Sequence, residues 1–173
     1  MSVVESAVAV LKRELGEAVL GLTTFRDQTS VELERSAIVR SCELLRDDPE
    51  LQFNFLAALT AVDYWPEEPR FKLVYQLYSL PNKVFLGLNV PVSGDDPKIA
   101  TIESVFPNAN WHERELFDMF GLVFEGHSDM RRIIMPQDWQ GHPLRKDYPL
   151  GYEEVQFTFN FDAIDKRKPY AKE

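Results

Sequence analysis

The stretch Phe71-Lys72-Leu73-Val74-Tyr75-Gln76-Leu77-Tyr78-Ser79, followed by Leu80-Pro81-Asn82 and then Lys83-Val84-Phe85-Leu86-Gly87-Leu88-Asn89-Val90, decides the fold. Phe71, Leu73, Tyr75 and Leu77 recur at every second position, and so do Val84, Leu86, Leu88 and Val90. A period of two puts each set on one face of an extended strand, and Leu-Pro-Asn between them is a turn, so the segment reads as a β-hairpin. A sheet with one apolar face must be covered. Helical spacing supplies the cover upstream. Val4, Ala7, Val8, Leu11 and Leu15 mark an amphipathic helix ending near Gly16, and Ile38, Cys42 and Leu45 mark a second over residues 36–46, stopped by Asp48-Pro49. Cys42 falls on the buried stripe, which makes it a core residue rather than a reactive thiol. Short strands are expected at 18–24 and 29–34. Residues 53–64 read as a short helix leading into a strand near 61–64. Asp96 and Pro97 read as the N-cap and first residue of a helix that buries Ile99, Ile102 and Phe106 before Pro107. Helices and strands mixed without βαβ alternation imply an α+β fold: a two-layer mixed sheet with helices on one face, spanning residues 1–125.

The chain has 173 residues, 19 Lys+Arg against 28 Asp+Glu, a formal charge of −9, three His and one Cys. That length suffices for one domain with a core needing no disulfide or structural metal. The acidic balance argues against nucleic acid, whose affinity rests on cations neutralising phosphates, and against an anionic membrane surface. One Cys excludes an intramolecular disulfide and a Cys-ligated iron–sulfur cluster or zinc site within the chain. The N-terminus lacks the basic start of a signal peptide, and the most apolar run, residues 53–62, is about half the ~20 residues that span a bilayer. No G-x-G-x-x-G, P-loop, G-x-S-x-G or H-E-x-x-H occurs.

Titratable residues concentrate in Trp111-His112-Glu113-Arg114-Glu115-Leu116-Phe117-Asp118-Met119-Phe120-Gly121. Its spacing is helical, with Asn110 as N-cap, Glu113 completing a capping box and Gly121 as the stop. Arg114, Glu115 and Asp118 face away from the apolar arc, with Arg114 and Asp118 as an i,i+4 pair. Glu113 falls on the apolar side. It must cap the helix, meet a buried Arg of the following loop (Arg131, Arg132 or Arg145), or carry a raised pKa. A cap or ion pair is favoured over a general acid or metal ligand, since His112 has Glu115 three residues on and no ligand four on. Residues 126–152 follow, broken by Gly126, Gly141, Gly151, Pro136, Pro143 and Pro149, too apolar for disorder and locally basic. Apolar anchors beside Arg in ordered irregular backbone are the chemistry of protein interfaces; the alternative is that the loop folds back on its own sheet. The partner-facing set is Arg132, Trp139, His142, Pro143, Leu144, Arg145, Lys146, Asp147, Tyr148 and Pro149. The alternating Phe157, Phe159 and Phe161 extend it into a C-terminal arm, so residues 126–173 are expected to form an ordered loop and arm docking on partners.

Glu113-Arg114-Glu115-x-x-Asp118-Met119-Phe120, then His127-x-x-x-Arg131-x-Ile133-Ile134, resembles the signature of the 30 kDa (C) subunit family of proton-pumping NADH:quinone oxidoreductase. Gly141-His142-Pro143-Leu144-Arg145-Lys146-Asp147-Tyr148-Pro149 is similar to the segment following it, and Thr60-Ala61-Val62-Asp63-Tyr64 to an upstream motif. On this resemblance Asp63, Glu113, Arg114, Glu115, Asp118, Gly121, His127, Arg131 and Ile133 are structural signature residues. The resemblance implies an α+β subunit without catalytic residues, cofactor or metal of its own. It implies docking on the quinone-pocket (49 kDa, D) and terminal-cluster (B) subunits of the hydrophilic arm, with FMN, iron–sulfur clusters and quinone on partner subunits. The expected place is the cytoplasmic side of a bacterial cell membrane, reached only through the complex. The equivalent subunit of a membrane-bound hydrogenase or photosynthetic NDH-type complex is the alternative, and a stand-alone His/carboxylate metal enzyme a more distant one.

Overall fold

The computed structural model describes residues 2–149 together with Phe159 and Asp162. The predicted hairpin is its centre: β4 (Phe71–Ser79) pairs antiparallel with β5 (Val84–Val92) from Phe71↔Val92 to Ser79↔Val84. Along β4 buried and half-buried residues alternate without exception, as a strand covered on one face requires. β1 (Val19–Phe25), β2 (Gln28–Leu33) and β3 (Phe55–Asp63) complete a five-stranded sheet of order β1-β2-β5-β4-β3, antiparallel except for the parallel β2–β5 pair.

The helices α1 (Val3–Leu15), α2 (Ile38–Asp47) and α3 (Ala109–Phe120) share one hydrophobic core with the sheet. Ala7 and Leu11 from α1, Ile38, Cys42 and Leu45 from α2, and Leu116 from α3 meet Leu59, Leu73, Tyr75, Leu77 and Leu88 from the sheet. Ser2 and Glu5 form a capping box on α1, and Gly16 closes it at φ 55°. A 3₁₀ turn, Arg35–Ala37, precedes α2. The opposite sheet face carries the cross-strand aromatics Phe55, Tyr78 and Phe85, the last two with ring centroids 4.5 Å apart.

Two expectations are corrected. Residues 55–63 are strand throughout, not a helix followed by a strand. A register shift between Leu56 and Ala58 adds one residue, so the buried Leu56 and Leu59 fall three apart and mimic a helical spacing. Residues 97–106 are not a helix either: β6 (Lys98–Ala100) pairs in parallel with β7 (Val123–Glu125) and turns follow. Asp96 is no cap here, because its carboxylate accepts from Arg35 at 2.9 Å and lies 3.4 Å from Lys98. Ile99 and Ile102 are buried as expected, but by a strand and a turn. Among the described residues no helix is long and apolar enough to cross a membrane.

Candidate functional site

The titratable cluster lies on α3, which begins earlier than its sequence suggests. Asn108 is the N-cap position, and its amide donates to Leu56 O of β3 at 2.9 Å rather than capping the helix. Asn110 sits within the first turn and donates instead to Glu103 Oε1 (2.9 Å) and Ser128 Oγ (3.2 Å). Gly121 ends α3 in the left-handed region at φ 73°, its N–H donating to Phe117 O, the arrangement that glycine permits without steric cost.

Glu113 is fully buried and pairs with no arginine of the loop. Its carboxylate accepts from Thr101 Oγ1 at 2.5 Å and from the Ile102 N–H at 2.9 Å, so it holds the turn after β6 against α3. Burial pushes its pKa up, and the two hydrogen bonds pull back only part of that shift. It is neither a cap of its own helix nor half of an Arg pair. The cation-capable group nearest to it is His127, with Nε2 at 3.9 Å. His127 Nδ1 accepts from the Asp129 N–H (2.9 Å) while Nε2 lies 3.2 Å from Asn110 O, a carbonyl that can only accept.

Asp118 is likewise buried, whereas its periodicity placed it on the polar arc opposite Leu116. Oδ2 accepts from three successive N–H groups, those of Ile133 (3.1 Å), Ile134 (2.7 Å) and Met135 (2.8 Å), and Oδ1 from Arg132 Nη1 (2.6 Å). Burial alone would push this carboxyl up; the Met135 N–H, Arg132 and the other amides outweigh it and hold the pKa below its ordinary value. The expected Arg114–Asp118 pair is therefore absent. Arg114 stacks over Trp111 at 5.3 Å and donates to Arg131 O and Arg132 O. Arg131 itself turns back to Asp129 at 2.6 Å.

The second half of the loop completes the end of α3. A helix terminus leaves carbonyls unpaired, and here Leu144 N–H donates to Met119 O (3.0 Å), Arg145 Nε to Phe120 O (2.5 Å), and the His142 ring nitrogen Nδ1 lies 3.0 Å from Asp118 O. The Arg145 guanidinium at this end also suits the negative pole of the helix. Beyond it, Arg70 bridges two carboxylates. Its Nε and Nη2 donate to Asp63 at 2.9 and 2.8 Å, and its Nη1 and Nη2 to Asp147 at 3.0 and 2.6 Å. Asp63 also accepts from the Lys146 and Trp65 N–H groups. Burial would raise the Asp63 pKa, but Arg70 and these amides win and hold it down at about 2. Burial lowers the pKa of His142, with the charges of Arg145 and Arg132 adding to the effect.

Of the predicted partner-facing residues, Arg132, Arg145 and Asp147 are consumed within the chain. Ile134 and Leu144 are 56% and 52% exposed, Ile133 and Trp139 38% each, and Lys146 and Pro149 are exposed too. His142, Pro143 and Tyr148 are half-buried. Phe159 is exposed, and Phe157 and Phe161 lie outside the described residues. Glu115 faces solvent and His112 is half-buried, so the acids and histidine of α3 diverge rather than converge. Among the described residues no three His, Cys, Asp or Glu groups gather as metal ligands. The sequence reading missed Arg70 and Thr101. Arg70 had a readable signal, since Asp63 at the end of β3 and Arg70 just before β4 are opposite charges flanking the turn between two paired strands.

Fold and site together define a class: a two-layer α+β domain whose buried carboxylates anchor a long irregular loop. The chain belongs to the family described as respiratory-chain NADH dehydrogenase, 30 Kd subunit, matched over residues 31–154. It is 52% identical over 163 residues to the NADH-quinone oxidoreductase C subunit of Roseiflexus sp. (strain RS-1), covering 94% of each chain. It is 44% identical to the protein of the same name from Geotalea uraniireducens (strain Rf4), covering 83% of this chain and 87% of that one. Among solved structures, the trypsin-resistant fragment (1-134) of Nqo5 is similar at 29% identity with a TM-score of 0.58, over 70% of this chain and 97% of that one. A chain of an archaeal membrane-bound sulfane sulfur reductase shares the fold at 23% identity and a TM-score of 0.68, covering 84% and 85% of the two chains.

Proposed function

We propose that the chain is a structural subunit of the hydrophilic arm of NADH:quinone oxidoreductase, supporting electron transfer from NADH to quinone without supplying catalytic residues or a cofactor itself. FMN and iron–sulfur clusters then belong to neighbouring subunits, and the loop seats this one against the quinone-pocket (D) and terminal-cluster (B) subunits, on the cytoplasmic side of a bacterial membrane. Family membership supports the assembly. One observation carries the loop's role: its backbone and arginines turn inward to Asp118, Asp63 and the end of α3, while Ile133, Ile134, Trp139 and Leu144 turn outward. Rigid apolar side chains displayed on a locked backbone bind with little ordering cost.

The test is the double variant Ile134→Asp/Leu144→Asp. Both side chains are exposed in the free chain, so its thermal midpoint should stay unchanged, while the amount of chain recovered with the assembled complex falls at least about tenfold, equivalent to ~1.4 kcal/mol of binding. Normal assembly of the variant would refute the loop as docking surface.

A further inference from the structure

At the sheet edge farthest from β3, and so from the Asp63–Arg70 end of the loop, β1 has no neighbour on its outer side among the described residues. Proteins blunt exposed edge strands with Lys, Pro, short length or bulges, because the unpaired backbone groups are a template for another strand. The seven residues Val-Leu-Gly-Leu-Thr-Thr-Phe of β1 contain no charge and no proline. The one irregularity lies at its start, between Val19 and Gly21; from there to Phe25 the pairing with β2 is regular. Leu20, Leu22 and Phe25 are 51%, 47% and 69% exposed.

The hairpin closes on the Phe25–Gln28 pair across the two-residue turn Arg26-Asp27. Alternation of bonded and non-bonded pairs in an antiparallel ladder then turns the N–H and C=O groups of Leu22 and Thr24 toward the open edge. Beside that edge a groove of about 570 Å³ lies between the start of α1 and the hairpin, with Val4, Val8 and Leu22 as its apolar lining. Its ionisable lining residues, Glu5 and Asp27, are both acids. Glu17 before the strand adds negative charge, Glu32 opposite Gly21 is held 3.8 Å from Lys72, and Arg26 lies over the Phe25 ring at 5.3 Å.

We propose that β1 is a docking edge for an extended, Lys- or Arg-bearing segment of a neighbouring subunit, which adds a sixth strand to the sheet. An apolar side chain of that segment fills the groove and its cation faces Glu5 and Asp27. A second copy of this chain fits poorly. Two β1 strands paired antiparallel about a two-fold axis set Glu17 of each beside Asp27 of the other, with Arg26 the one cation within residues 17–27 to offset them. Every lining residue of the groove precedes residue 31, where the family match begins, so this surface is separate from the signature around α3. The proposal rests on the reading of the chain as a subunit of the oxidoreductase.

Hydrogen exchange on the free full-length chain and on the purified complex tests it. The Leu22 and Thr24 amides should exchange freely in the free chain and at least about tenfold more slowly in the complex, with Thr23, bonded to Ser30 of β2, slow in both. A photo-crosslinking residue at Leu22 should then capture a Lys- or Arg-containing peptide of another subunit. Unchanged exchange in the complex, or a crosslink to residues 150–173 of the same chain or to a second copy, overturns the proposal. A chain absent from the purified complex refutes the subunit reading instead, so the two failures are distinguishable.

Discussion

At the scale of single residues, the carboxylates that tie the fold together divide into two kinds with opposite pH dependence. Asp63, Asp118 and Asp147 have pKa values below the ordinary 3.8, so the stability they contribute is fully present above that value and lost as the pH falls, for Asp63 through about 2. Glu113 is raised above its ordinary 4.5, so its folded state binds the proton more tightly than its unfolded state, and stability declines as the pH rises from 4.5 through its folded pKa. Glu113 therefore adds stability on acidification, opposed by His142, whose lowered pKa makes stability fall as the pH drops through 6.5. Glu113→Gln should remove the Glu113 contribution, read as a urea midpoint that changes less favourably than that of the wild type as the pH is lowered toward 4.5. A midpoint with the wild-type pH profile would show that Glu113 makes no such contribution. Tyr75 gives a second residue-scale prediction. Its hydroxyl is buried with no hydrogen-bond partner among the described residues, so its desolvation is uncompensated. Tyr75→Phe should leave urea stability unchanged or raise it by about 1 kcal/mol, and a loss beyond ~1 kcal/mol would reveal a partner for the hydroxyl.

At the scale of elements, α3 is a helix finished by a loop. Its last carbonyls take donors from Leu144, Arg145 and His142, and Gly121 makes room for them: a Cβ there would stand 2.6 Å from Arg145 Nη2 and from His142 Cδ2. Gly126 offers an internal comparison, since it also has positive φ, at 85°, but a Cβ would meet only Thr101 Cγ2 at an ordinary 3.5 Å. Gly126→Ala should cost only the ~1–2 kcal/mol of a non-glycine residue in the left-handed region. Gly121→Ala should cost clearly more in urea denaturation, because it also expels His142 and Arg145. Equal costs would mean that the loop's seat on the helix contributes nothing to stability.

At the scale of the whole molecule, Arg70, just before β4, joins the end of β3 through Asp63 to the distant loop through Asp147. The guanidinium fork makes two directed bonds to each carboxylate, four in all, which an ammonium with three donors on one nitrogen cannot reproduce. Arg70→Lys should therefore release the loop without dissolving the sheet. The Lys146 amide, which donates to Asp63, should lose exchange protection while those of β4 and β5 keep theirs. Uniform loss across both would place Arg70 in the global core instead. Such a release should also weaken incorporation into the complex, because the outward Ile134 and Leu144 depend on the backbone beneath them.

The sequence determined the local pattern: the alternation of β4 and β5, the apolar stripes of α1 and α2, Gly121 as a stop, and the apolar, Pro- and Gly-broken loop after residue 126. Each of these depends on neighbours within a few positions, which spacing reports. The tertiary structure decided the rest. It made residues 55–63 a bulged strand and residues 98–100 a strand paired with β7, because pairing partners far along the chain supply hydrogen bonds that local periodicity cannot display. It also turned Asp118 from a surface charge into the buried acceptor of three loop amides, and gave Arg132, Arg145 and Asp147 hydrogen bonds within the chain. A charge goes inside only where its partners converge. Those partners lie 14 to 17 residues away for Asp118 and 77 between Arg70 and Asp147, separations over which only the fold can bring them together.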